Sequence, residues 1–303
     1  MPGEEIGCLE YKEAHFFVLS GIAAHVGGDA LSVFCGTKLK QEEKVLLAID
    51  LGTNAEILLN KYGKLWCCSA AAGPAFEGRG VSGGRLAGPG VISGVKLAAH
   101  TGNIILEYIP GKEIRGICGS GLIDLLAELR KAGLITEDGY LLSGEDTKGR
   151  GSLQKWSDHM MEDDFGERSF LLYGGEKKLF LTQKDIRTLQ LAKGAIGAAV
   201  SVLLHENGLK PDDLDGLILT GVLGSSIRLE NAMRLGLIPR VAKEKVILAG
   251  NAALDGAISL LKRRELREEW ERMAEEVDHL ELAEEKEFLP FFMKSVGMDS
   301  IFL

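Results

Sequence analysis

Asp50, Gly52, Thr53 and Asn54 lie together in one short stretch, IDLGTNAEILL (49–59), where each residue type has its own task at a phosphate. Gly52 permits a positive φ, or a backbone approach too close for a Cβ. Thr53 and Asn54 supply a hydroxyl and an amide, and successive turn N–H groups form a concavity for anions. Asp50 ends an apolar run and can hold a water bound to Mg2+ or orient an attacking one, because Mg2+ takes few carboxylates and several waters. An ordinary hairpin closed by an Asx-type turn accounts for the same residues.

Three further stretches carry chemistry or close packing. LILTGVLGSSI (217–227) reads as a strand ending in a glycine turn, where Gly221 and Gly224 let an adenine or ribose lie against bare backbone; a plain strand-to-helix turn uses the same glycines. GICGSGL (116–122) places N–H groups and Ser120 at a helix start, where the dipole favours an anion, and a glycine-rich helix entry without a ligand reads the same way. In AGNAALDGAISLL (249–261), Gly250, Ala252, Ala253 and Gly256 mark a helix packed closely on a neighbour. Cys118 is read as a small buried thiol, with an activated thiolate as the alternative. The run containing Asp158, His159, Glu162, Asp163 and Asp164 is metal-like in composition and is read as a solvated acidic face. None of the six histidines pairs with another at ligand spacing, and none is assigned to catalysis.

These residues need elements to position them. Val45–Leu51, Ala55–Leu59 and Leu65–Ala71 are apolar runs separated by short turns, which predicts three strands in an antiparallel meander. Upstream, residues 15–36 predict a short strand followed by a small-residue helix over 22–36. Residues 73–95 are so rich in Gly and Pro that an ordered functional loop is expected. A hairpin near Ile104–Tyr108 follows, then a helix with Leu122, Leu125, Leu126 and Leu129 on one face and Gly133 near its stop. Residues 143–169 are polar with little apolar periodicity and are expected to form a mobile insertion. Thr182 with Asp185 opens a long helix up to Asn207-Gly208, and strands and helices then alternate to Lys262 as in an α/β layer. The charged tail 263–287 carries Leu266, Trp270, Met273 and Val277 on one stripe, which predicts an amphipathic surface helix.

Composition narrows the function. A chain of 303 residues with 46% hydrophobic residues can bury a sizeable core. Its 35 basic and 44 acidic residues, net charge −9, disfavour a nucleic-acid partner, which needs clustered cations. The five cysteines, Cys8, Cys35, Cys67, Cys68 and Cys118, lack metal-type spacing, so a reducing cytoplasm without disulfides or an iron–sulfur cluster is expected. Apolar stretches such as Gly194–Leu204 are shorter than a membrane span, and no membrane association is expected.

The order of the pieces, a small-residue helix, IDLGTNAEILL, a long helix, TGVLG and GNAALDGAISLL, resembles the second lobe of the actin, Hsp70 and sugar-kinase superfamily. More narrowly, IDLGTNAEILL, CSAAAGPAFEG, GICGSGLIDLLAEL, TQKDIRTLQLAKGAI and VDHLELA resemble the C-terminal ATPase domain of the reductive activators of corrinoid-dependent enzymes, over nearly the whole chain. The resemblance implies an α/β, actin-like (ribonuclease H-like) lobe with a mixed sheet flanked by helices. Residues 1–44 would be the remnant of a first lobe with its connecting helix, 45–262 the second lobe, and 263–303 a helical tail.

ATP and Mg2+ are the implied cofactors. Carried over by position, Asp50, Gly52, Thr53 and Asn54 face the phosphates and metal, and Gly221, Gly224 and Ser225 border the adenosine. Gly119 and Ser120 are further contacts, and Glu77 of the PAFEG run faces the cleft. The implied partner is a corrinoid protein, reduced from Co(II) to Co(I) with an electron from a [2Fe–2S] domain in a longer chain or a separate subunit. Two departures stand out: no first phosphate hairpin precedes the 22–36 helix, and Val222 stands where the family carries a second glycine. A non-enzymatic docking module for a corrinoid protein, or a small-molecule kinase with the 73–95 loop as its lid, are the alternative functions.

Overall fold

The computed structural model describes residues 2–302 except positions 3, 6, 8 and 13, so Cys8 lies outside the described residues. The first long element is α1 (Gly28–Thr37), shorter than the 22–36 span expected. The strand expected before it does not form, because His15 makes only an isolated bridge to Pro2. The meander follows as read: β1 (Val45–Leu51), β2 (Ala55–Lys61) and β3 (Lys64–Ala70), paired antiparallel in order. A 3-10 turn at Pro74–Glu77 opens the glycine-rich loop, which ends earlier than expected because β4 (Val91–Ala98) begins within it. Then come β5 (Asn103–Tyr108), β6 (Gly116–Ile117) and α2 (Gly119–Lys131).

Residues 143–169, expected to form a mobile insertion, contain regular elements. They form α3 (Gly144–Thr147), a 3-10 segment at Gly151–His159, β7 (Met160–Glu162) and the start of β8 (Arg168–Tyr173), which with β9 (Leu179–Thr182) builds a three-stranded antiparallel sheet. Trp156, Met160 and Phe170 anchor this unit in the main core, and three such side chains are too few to produce a periodic signal. The predicted capping box is present, with Thr182 and Asp185 exchanging hydrogen bonds of 2.9 and 3.1 Å to start α4 (Gln183–Glu206). This 24-residue helix is long and apolar enough to span a membrane by length and composition, but 83% of its most apolar window is buried in the fold.

The chain continues through β10 (Gly216–Thr220), one helical turn α5 (Gly221–Gly224), α6 (Leu229–Arg234), β11 (Val246–Leu248) and α7 (Ala252–Lys262). The tail differs from the single surface helix expected. It splits into α8 (Arg267–Glu276), β12 (Asp278–His279), which joins the main sheet beside β3, and α9 (Phe288–Ser295), which packs on α4. The apolar stripe was read correctly, since Trp270 and Val277 are buried, but helical periodicity does not reveal an edge strand only two residues long.

The main sheet runs β11-β10-β1-β2-β3-β12 and is mixed, with β10 parallel to both β1 and β11. Side chains alternate across a strand, so each strand divides between two cores. Leu47, Ile49 and Leu51 of β1 join Ile57, Leu59 and Cys68 beneath α2 and α4. Leu46 and Ala48 join Leu58, Leu65 and Cys67 beneath α1 and α7. By the same alternation Asp50 belongs to the α1–α7 face, as do its cross-strand neighbour Glu56 and, one strand further, Ser69.

Candidate functional site

A cavity of about 500 Å³ opens where the carboxyl ends of β1 and β10 meet the start of α2. This is the edge of an α/β sheet at which ligands characteristically bind. Asp50, Gly52, Glu77, Gly119, Ser120 and Gly221 all line it, so six residues from four distant parts of the sequence converge.

Each wall has a local cause. Gly221 has φ +85°, and a Cβ there would stand 2.6 Å from Asp50 Oδ1 and 2.9 Å from the Leu51 carbonyl, so only glycine lets the β10 turn approach the carboxylate. That turn is clamped: the Gly221 N–H donates to the Gly250 carbonyl at 2.8 Å, and buried Thr220 donates its hydroxyl to the same oxygen and accepts the Ala252 N–H, both at 3.0 Å. Gly119 is equally constrained, since its Cβ would meet the Phe76 carbonyl at 2.1 Å. The start of α2 is thereby pressed against the Pro74–Glu77 turn, and Glu77 there accepts a hydrogen bond from the Thr53 hydroxyl. No side chain caps the first turn of α2, so its N–H groups and dipole are directed at the cavity. The Ser120 hydroxyl is committed to the Ser93 carbonyl at 2.8 Å, which leaves the Ser120 main chain as its polar group toward the cavity.

Several expectations are placed differently. Gly52 does not adopt a positive φ; its missing Cβ instead accommodates the Asn54 carbonyl, 3.0 Å from where a Cβ would stand. Thr53 reaches the cavity only through Glu77, and Asn54 is exposed outside the lining. Gly221–Gly224 is a helical turn rather than an open glycine loop. Ser225 bonds back to the Gly221 carbonyl at 2.9 Å and does not line the cavity, Gly224 is buried beneath it, and Ser226 takes the lining position. Val222 lines the rim and is 75% exposed, so it leaves the cavity open.

The sequence reading missed two carboxylates. Asp29, in the first turn of α1, and Glu56, directly opposite Asp50 on β2, both act electrostatically on the Asp50 region. Burial, and then Asp29, push the Asp50 carboxyl above its ordinary range. Burial, then Asp29 and Asp50, push Glu56 up to about 7, against a lowering hydrogen bond from Ser69 at 3.2 Å. The available signal for Glu56 was the hairpin register, which pairs it directly with Asp50 once the chain turns at residues 52–54.

Neighbouring carboxylates disfavour one another's ionised form. Among the described residues no three His, Cys, Asp or Glu side chains converge as a metal cage. Mg2+ needs only one or two carboxylates and takes its remaining ligands from water and phosphate. The lining could hold a Mg-nucleotide: Asp50 could serve the metal side, the α2 first turn could face anionic oxygens, and Leu86, Ile109 and Leu223 form an apolar wall.

Residues 44–300 match the family described as the C-terminal domain of RACo, the ASKHA domain. This chain belongs to that ASKHA-domain family. It is 33% identical over 282 residues to the corrinoid activation enzyme RamQ of Eubacterium limosum, covering 90% of this chain and 45% of that protein. It is 30% identical over 315 residues to a Co(II) methylated amine-specific corrinoid protein reductase of Methanosarcina barkeri, covering 96% and 53%. A solved reductive activator for corrinoid, iron-sulfur protein superposes with a TM-score of 0.86 at 31% identity, over 98% of this chain and 46% of that one. The ASKHA domain described here thus spans about half the length of these relatives. The expected α/β lobe with a mixed sheet flanked by helices is the observed one.

Proposed function

We propose that this ASKHA domain is the nucleotide-handling part of an ATP-dependent activator that returns corrinoid proteins from Co(II) to Co(I). The single observation that carries the reading is the convergence of Asp50, Glu77, the uncapped start of α2 and the Gly221 turn on one cavity. The names of the relatives support the corrinoid protein as partner.

In this reading Asp50 orients the water shell of Mg2+, whose charge, when bound, offsets that of the phosphates. The main chain at Gly52 and the first turn of α2 grip the phosphate oxygens, and Gly221 gives the nucleotide access past Asp50. Glu77, held by the Thr53 hydroxyl, orients the attacking water. Gly224 supports the turn from below, and Leu223 and Val222 offer apolar contact to the base. The electron comes from a [2Fe–2S] group on another domain or subunit. Burial raises the Cys68 thiol and pushes Cys67 up to about 12, which suits core packing rather than thiolate ligation.

Calorimetric titration with MgATP tests the reading. Asp50→Ala should weaken binding at least ~10-fold, the loss of one charge-assisted contact. Equal affinity for both proteins would remove Asp50 from the site. Capture of a corrinoid protein without nucleotide, by a chain that binds no MgATP, would favour the docking-module alternative.

A further inference from the structure

Among the described residues Arg85 is the only positively charged side chain that lines the central cavity, where Asp50 and Glu77 supply the charge of opposite sign. We infer that Arg85 is the polyphosphate anchor of this cavity and sets its preference for phosphorylated nucleotides over a bare nucleoside. The inference rests on the nucleotide reading above.

Three observations support it. First, the residue is held in place. Its N–H donates to the Ile117 carbonyl at 2.9 Å, its Nη1 donates to the Gly84 carbonyl at 3.3 Å, and its stem lies over Gly116, where a Cβ would stand 2.5 Å from Arg85 Cγ. β6 therefore sets both the start of α2 and the root of the Arg85 side chain. The loop is tied on its other side by the Ser82 N–H, which donates to Asp185 Oδ1 at 2.8 Å.

Second, the guanidinium has no ion-pair partner among the described residues, its one hydrogen bond being to the Gly84 carbonyl. Among the described residues no carboxylate lies within 4.0 Å of it, although carboxylates line the same cavity. A guanidinium presents a planar fork of donors that matches two phosphate oxygens at once, and it stays charged at any physiological pH. Third, Arg85 stands at a junction. It also lines two adjoining hollows, one with Arg115, Lys177 and Lys178 against Glu162 and Asp163, and the other with Arg79 and Arg115 against Glu77, so cations outnumber carboxylates in both. In a chain of net charge −9, this is a local positive mouth toward which a polyanion is drawn. The purely solvated alternative makes a distinct forecast, because an arginine that serves only solubility leaves ligand preference unchanged.

The test is calorimetry with MgATP and, separately, adenosine, on wild type, Arg85→Ala, Arg85→Lys and Arg240→Ala, the last removing one exposed charge elsewhere, with circular dichroism to confirm folding. Arg85→Ala should weaken MgATP by about 10- to 100-fold, the range for a lost hydrogen-bonded charge, while adenosine changes by less than ~2-fold. Arg85→Lys should recover part of the loss, and Arg240→Ala should match wild type. An unchanged MgATP affinity in Arg85→Ala overturns the inference, as does an equal loss for both ligands, which would mark a structural role. If Arg85→Ala does not fold, Arg85→Lys decides: MgATP affinity equal to wild type with the fork removed overturns the bidentate assignment, and a selective loss supports it. Failure of wild type to bind either ligand would instead overturn the nucleotide reading, and this inference with it.

Discussion

Asp50 and Glu56 face each other across the β1–β2 hairpin, and both are raised by burial first and by neighbouring acidic charge second. For Glu56, raised from 4.5 to about 7, the pH consequence has a definite sign. The folded state binds the proton more tightly than the unfolded chain, so its stabilising effect is complete below about pH 4.5 and is lost as the pH rises through 7. Glu56→Gln should therefore be more stable than wild type at pH 8, on the order of 2 kcal/mol after discounting for partial exposure. At pH 4.5 the two should unfold at nearly the same urea midpoint. A pH-independent difference would mean that Glu56 acts through packing. Asp50 was legible because it ends an apolar run and is followed by the short polar turn Gly52-Thr53-Asn54. Glu56 and Asp29 were not, since their role comes from which strand face and which helix end they occupy.

At the scale of elements, α1 and α7 cross beneath the sheet so closely that each uses a glycine at the contact. A Cβ on Gly36 would stand 2.1 Å from the Ala252 carbonyl, and one on Gly256 would stand 2.1 Å from the Ser32 carbonyl. Both obstacles are backbone and cannot swing aside. In an unconstrained helix interior Gly→Ala stabilises by roughly 0.5–1 kcal/mol, but here overpacking should reverse the sign, with a cost of about 1–3 kcal/mol. Urea denaturation of Gly256→Ala reads this directly, and a gain in stability would show that the helices can separate without penalty. Because α1 carries Asp29 and α7 is capped by Asn251 at the cavity wall, the same variant should also weaken MgATP binding. The small residues of 249–256 announced this contact in the sequence. The partner helix did not announce itself, since nothing in a run of small residues says which other run it meets.

At the scale of the whole molecule, the larger core is continuous from the sheet through α2 and α4 into the small sheet of residues 160–182, with Trp156 and Phe170 in the same cluster as Ile49 and Leu126. Unfolding should therefore be a single transition. With Trp270 replaced by Phe, Trp66 on β3 and Trp156 in the 143–169 segment are natural probes, and variants retaining only one of the two should give coincident fluorescence midpoints, which an independently melting segment would split. The sequence by itself determined the elements whose signals are local: the meander, the Thr182–Asp185 cap and the long helix. Backbone conformation and periodicity are properties of neighbouring residues, so they can be read along the chain. Only the tertiary structure decided that Glu77 meets Thr53, that Asp29 and Glu56 share the electrostatics of Asp50, that Ser226 rather than Ser225 lines the cavity, and that Arg85 stands beside it. Those juxtapositions depend on how helices and sheets dock, which is set by volume and contact summed over the whole core.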